Sequence, residues 1–189
     1  FHFNNYNLLS NSVKKINVIG TTASGKSTFS KKLSARLNIP YISMDKLFWK
    51  SNWTESTNEE LFQKLEEALN QDTWVLDGNF SRTNDIKWKD VDTIIWIDFS
   101  FLRTLYQSIS RALSRIICQK ELWEGTGNKE TLSRLFSKDS IVLWLFKQYG
   151  KKKRTYSKLI TEDKYNHINF VRLQSPKECE KYLKQLESS

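Results

Sequence analysis

Asn17–Leu33 reads NVIGTTASGKSTFSKKL. An apolar run enters this stretch, a run with helical spacing leaves it, and small residues ending in one Lys lie between them. Gly20-Thr21-Thr22-Ala23-Ser24-Gly25-Lys26-Ser27 fits G-x-x-x-x-G-K-[ST] in full, in the strand-to-helix setting that the pattern requires. The glycines let the backbone curl so that N–H groups point inward at phosphate oxygens, and the positive end of the following helix adds to that field. Lys26 is expected to reach the β- and γ-phosphates of ATP or GTP, and the Ser27 hydroxyl to ligate Mg²⁺. Gly20, Thr21, Ala23, Ser24, Gly25, Lys26, Ser27 and Thr28 form the expected nucleotide-binding set.

Outward from this loop the chain alternates strands and helices. Val13–Ile19 reads as the first strand, and Lys26–Asn38 as a helix with Phe29, Leu33 and Leu37 at helical spacing, stopped before Pro40. Tyr41–Ser43 is a short second strand, and Asn58–Asn70 an amphipathic helix carrying Leu61, Phe62, Leu65 and Leu69. Thr73–Asp77 and Val91–Asp98 read as the third and fourth strands, Phe101–Cys118 as a helix, His167–Leu173 as the last strand and Pro176–Leu186 as a terminal helix. Such alternation predicts an α/β protein of the P-loop NTPase fold, with a parallel five-stranded sheet flanked by helices. Residues from about 102 to 161 break the rhythm and read as a helical, lid-like insertion. The expected organisation is a loose arm over residues 1–12 followed by one domain over 13–189.

The 39% hydrophobic content, with seven Trp, excludes a disordered chain. The net charge of +9 favours anionic partners, or equally a solvated lysine-rich surface. Cys118 and Cys179 stand far apart and outside any Cys/His cluster, which argues against a disulfide framework or a zinc site. No stretch of about twenty apolar residues offers a membrane span, and residues 1–12 lack the features of a signal peptide. The cytoplasm is the default expectation.

The carboxyl ends of parallel strands face the ligand crevice. Asp77, ending the third strand in VLDGNFSR, therefore emerges beside the loop and is expected to hold Mg²⁺ through water. Gly78 permits close backbone approach, and Arg82 can meet an anionic group on the acceptor. Asp45, just past the second strand, is suited to orient or deprotonate an acceptor hydroxyl, although a helix cap or surface aspartate fits the same spacing. Phe48, Trp49 and Trp53 are either core or a stacking surface for a ring. Asp98 is expected to cap the next helix rather than to join the metal.

The P-loop together with Leu76, Asp77, Gly78 and Arg82 resembles adenylate kinase and related nucleoside monophosphate kinases. Asn79-Phe80-Ser81 stands where adenylate kinase has Phe-Pro before its Arg. MDKLFWKSNW, LDGNFSR, ELWEGTGNKE, SKDSIVLWLF and VRLQSPKE together resemble bacterial adenylate-kinase-related proteins labelled DNA topology modulation proteins. That resemblance implies a P-loop kinase fold.

Arg111 and Arg115, four residues apart, share one helix face, and Arg103 can join it. From Phe99 to Lys120 no acidic residue offsets them. By position in this kinase class they are the expected lid arginines, with Arg134 a distant third; a solvated basic face is the alternative. Lys151, Lys152, Lys153 and Arg154 fit a solvated helix end or a track for a nucleic-acid backbone. Arg172 falls where the class wraps the nucleotide base. His2 and His167 have no partner in sequence. The expected function is an ATP- and Mg²⁺-dependent phosphotransferase acting on a nucleotide, nucleoside or similar small metabolite. The alternative is a nucleic-acid-binding ATPase or polynucleotide kinase.

Overall fold

A computed structural model describes residues 14–118, 141–159 and 162–186. The strand entering the quoted loop, β1 (Lys15–Gly20), is buried from Ile16 onward. It stands at the centre of a five-stranded sheet ordered β2 (Tyr41–Ser43), β3 (Trp74–Asp77), β1, β4 (Thr93–Ile97) and β5 (Asn169–Leu173). Every pairing is parallel. Strands buried on both faces read as continuous apolar runs, which is why WVL and TIIWI were readable as strands. Asn17 is the polar exception in β1, fully buried, and burial requires that its amide be satisfied. It donates to the carbonyls of Leu76 (3.0 Å) and Gly78 (3.2 Å) and accepts from Trp88 Nε1 (2.8 Å).

Helices cover both faces of the sheet. Ile16, Val18, Val75, Ile95 and Ile97 pack against Phe29 and Leu33 of α1 (Lys26–Leu37) and against Cys179, Tyr182 and Leu183 of α7 (Pro176–Gln185). The opposite face presents Ile19, Trp74, Leu76, Ile94 and Trp96. It packs against α2 (Met44–Phe48), α3 (Asn58–Leu69), α4 (Asn84–Lys87) and α6 (Ile141–Leu159), the last through Tyr156. Between β4 and α6 runs α5 (Phe101–Cys118). Caps fix the helix starts: Thr57 and Glu60 form a reciprocal capping box on α3, a feature contributing about 1 kcal/mol.

The structure bears out the fold, a parallel five-stranded sheet flanked by helices. It adds two short helices that periodicity did not reveal, α2 and α4, each too short to be stable without tertiary packing. The described parts of the insertion, α5 and the end of α6, are helical; residues 1–12 and Arg134 lie outside the described residues. No described helix is long and apolar enough to cross a membrane. Cys179 is a buried free thiol, its pKa pushed up to about 12 chiefly by burial.

Candidate active site at the phosphate loop

The loop from Gly20 to Gly25 leaves the carboxyl end of β1 and opens directly into α1. Three of its positions need unusual backbone: Gly20 (φ 155°), Ala23 (φ 62°) and Gly25 (φ 95°). At Gly20 space matters more than angle, since a Cβ there would stand 2.5 Å from the carbonyl oxygen of Ile97 on the adjoining strand. Gly25 occupies the N-cap of α1 without a side-chain cap, and no acidic residue lies in the first turn. The helix N-terminus therefore keeps unpaired N–H groups and its positive end available for an anion. Ser24 Oγ is buried without a partner among the described residues. The fit to a phosphate group rests on these donors.

Lys26 Nζ donates to the Thr21 carbonyl oxygen at 2.9 Å, so the ammonium lies across the loop. Burial lowers its pKa; Asp77 and Asp45 oppose that effect, while Arg111 and Lys152 reinforce it. Side chains from β3, α2, α5 and α6 thus act on one ammonium. Asp45 lies in the first turn of α2, where Ser43 is the cap, accepting from the Lys46 N–H at 3.4 Å. Asp77 is buried at the end of β3, opposite Val18 and Ser43 in the sheet register. Its Oδ2 accepts from the Tyr41 hydroxyl at 2.9 Å, and burial followed by Asp77 drives the tyrosine pKa upward.

Among the described residues no three His, Cys, Asp or Glu side chains cluster as a metal cage. Mg²⁺ uses one or two carboxylates with hydroxyls, waters and substrate phosphates, and a hard oxygen set of Asp77 and Ser27 suits it. The exposed Ser27 stands in the first turn of α1.

Other expected residues fall into place differently. Gly78 does allow a close approach, but to protein: a Cβ there would lie 2.5 Å from Met44 Cβ, and its φ is 141°. Trp49 and Trp53 pack edge to face at 5.9 Å, Trp49 meets Phe48 at 5.0 Å, and Phe48 itself is core. The Arg82 guanidinium lies 5.2 Å over the Phe48 ring, at the surface beside α2. Asp98 corrects the expectation of a helix cap. Its Oδ2 accepts from Arg172 Nε at 2.9 Å and from Arg172 Nη2, and meets Lys153 Nζ at 3.3 Å. Arg172 lies within β5, opposite Trp96, and stacks on that indole at 4.7 Å. Protein partners therefore engage the guanidinium expected to meet a base.

The lysine cluster likewise departs from a uniformly solvated helix end. Lys151 and Arg154 are exposed, whereas Lys152 and Lys153 are half-buried, Lys152 acting on Lys26 and Lys153 meeting Asp98. Arg111 is half-buried and acts on Lys26; Arg115 belongs to α5, but its side chain lies outside the description. The exposed Arg103 turns over Phe99 at 5.8 Å, and His167 is exposed.

The sequence reading missed Asn79. Its side chain accepts from the Gly20 N–H at 2.9 Å and donates to the Gly20 carbonyl at 2.6 Å, clasping the first residue of the phosphate loop. The departure from Phe-Pro after LDG was the only signal of it.

A phosphate loop at the carboxyl edge of a five-stranded parallel sheet, flanked by helices on both faces, defines the P-loop kinase fold. The chain belongs to the AAA domain family, whose model AAA_18 matches residues 16–122. No curated protein matches it at a significant level. Solved structures of similar fold include shikimate kinase from Bacteroides thetaiotaomicron, with 12% identity, a TM-score of 0.52, and coverage of 92% of this chain and 96% of that one. A gluconokinase from Sinorhizobium meliloti 1021 shares 14% identity at a TM-score of 0.50, with 93% and 94% coverage. Shikimate kinase from Acinetobacter baumannii, solved with shikimate bound, shares 10% identity at a TM-score of 0.52, with 94% and 92% coverage. At these identities the likeness is one of fold.

Proposed function

We propose that the protein is an ATP- and Mg²⁺-dependent kinase that phosphorylates a hydroxyl group on a small metabolite, nucleoside or nucleotide. The observation carrying this reading is the placement of two carboxylates, Asp77 at the end of β3 and Asp45 in the first turn of α2, whose charges both favour the ammonium of the phosphate-loop lysine. One carboxylate suffices to steady Mg²⁺; a second, offset onto α2, suits a base that takes the acceptor's proton as its oxygen bonds to the γ-phosphorus and the bond from that phosphorus to the bridging oxygen breaks, releasing ADP. A phosphate acceptor needs no such base.

In this reading the P-loop amides and Lys26 hold the donor, while Ser27 and Asp77 hold Mg²⁺. When bound there, Mg²⁺ would supply neutralisation of charge on the transferring group. Arg111 enters from α5, and α5 with α6 forms a lid that excludes water on closure. Arg82 and the Trp49 face border the acceptor. The similar folds include kinases named for shikimate and a gluconokinase, both consistent with a hydroxylated acceptor. Adenylate-kinase-like specificity and any role in DNA topology have less support, since Asn79-Phe80-Ser81 departs from the adenylate kinase pattern and Lys152 and Lys153 of the lysine cluster are half-buried.

The test is a panel of acceptors incubated with ATP and Mg²⁺: hydroxylated organic acids, sugars, nucleosides, nucleoside monophosphates and a 5′-hydroxyl oligonucleotide. Transfer to a small hydroxylated acceptor is expected. Transfer only to nucleoside monophosphates, or only to the oligonucleotide, would sink the reading.

A further inference from the structure

Lys87, the last residue of α4, is fully buried, and its Nζ has no hydrogen-bond partner among the described residues. Its recorded neighbour is the ring of Trp88, 5.5 Å from the ammonium. An ammonium removed from water without an acceptor or a counter-ion is strongly disfavoured. The charge nearby is of the same sign: burial first, and then Lys152, lower the Lys87 pKa to about 7. Lys152 comes from α6, is half-buried, and is itself depressed by burial and by Lys151.

Lys152 also acts on Lys26, so its charge is felt both at the phosphate loop and at α4. Lys26 has Asp77 and Asp45 to answer it; Lys87 and Lys152 have no ion-pair partner among the described residues. Lys87 sits apart from the donor cradle, with Lys152 between them. The helix α1 packs on one face of the sheet, whereas α4 and α6 pack on the other. The α4 helix follows directly on the Gly78–Arg82 loop, at the acceptor's end of the site.

We propose that Lys87 and Lys152 form a subsite for an oxyanion group, a phosphate or a carboxylate, carried by the acceptor, which supplies the negative charge that the chain does not place there. The inference rests on the kinase reading and narrows its acceptor to an anionic hydroxylated molecule. Binding is coupled to proton uptake. An oxyanion favours both lysines in the ammonium form, so at pH 8 the complex takes up protons that free Lys87 has released.

The experiment uses protein saturated with Mg²⁺ and a non-hydrolysable ATP analogue, so that the phosphate loop is filled. Inorganic phosphate and, separately, malonate are then titrated at pH 8, with calorimetry in two buffers of different ionisation enthalpy. At least one anion is expected to bind with proton uptake, and chloride at equal ionic strength is not expected to replace it. Lys87→Met and Lys152→Met should each weaken that binding by about tenfold or more, and Lys87→Met should leave the analogue's affinity in place. Lys87→Met removes an unpaired buried charge and should fold at least as stably as the native chain. No binding of either anion up to about 50 mM, in the millimolar range of weak sites, would overturn the subsite, as would unchanged affinity in both variants. The analogue titration is read first: its failure overturns the kinase reading, and with it the assignment of this subsite to an acceptor.

Discussion

Lys26 is held between opposing influences. Burial and two cations favour the neutral amine, while two carboxylates favour the ammonium. In the kinase reading the incoming γ-phosphate tips that balance, and the lysine's work is done mainly in the transition state. Lys26→Ala should therefore lower phosphoryl transfer by about a thousandfold or more without loss of helical content or cooperative unfolding. Turnover within a few-fold of the native rate, in a variant shown to be folded, would remove the lysine from catalysis. Asp77→Asn tests the metal. The amide can still accept from the Tyr41 hydroxyl, so the local structure survives and only the charge is lost. Turnover should then need about tenfold more Mg²⁺ or lose its Mg²⁺ response, with nucleotide affinity little changed. An unaltered Mg²⁺ titration would separate Asp77 from the metal.

Packing between neighbouring elements decides where Asp45 stands. Gly78 is the contact point between the loop after β3 and the start of α2, and even one methyl group there meets Met44. Gly78→Ala should cost about 2 kcal/mol in denaturant unfolding, through overpacking and a disfavoured φ. It should also lower kcat as Met44 and its neighbour Asp45 are pushed away from Lys26. A stable variant with native kcat would mean that α2 is not fixed by this contact. In the kinase reading Arg111 on α5 acts on closure instead. Arg111→Ala should reduce kcat strongly with little change in ATP affinity, because a lid contact forms mainly as the site shuts on the transition state. Intact small-molecule turnover, joined to weaker DNA binding and a salt dependence about one unit shallower, would make α5 a nucleic-acid surface.

The strands, the phosphate loop and the helices on either side of it were readable in the sequence because each is governed by neighbours a few residues away. Continuous apolar runs mark strands buried on both faces, and the loop is one unbroken octapeptide. Residues whose partners are remote were not readable. Asp98 looks like a cap until β5 brings Arg172, 74 positions later, against it. Lys152 and Arg154 look alike until the orientation of α6 half-buries one and exposes the other. Lys87 carries no local sign of burial, because α4 is too short to show a periodic face.

The clasp of Asn79 on Gly20 joins the two halves of the site by a single hinge pin. Both polar ends of one amide grip the same residue, one on its N–H and the other on its carbonyl. A molecule that shifts the loop after β3 must drag the mouth of the phosphate cradle with it, and a nucleotide that tightens the cradle must pull on that loop. Heterotropic cooperativity is the thermodynamic form of this linkage, and it is reciprocal by necessity: each ligand alters the other's affinity by the same factor. Asn79→Ala should cut that factor toward one, so that nucleotide affinity becomes indifferent to the acceptor. Titrating each ligand in the presence and absence of the other measures it, and an undiminished factor in the variant would show that the two halves communicate by another route.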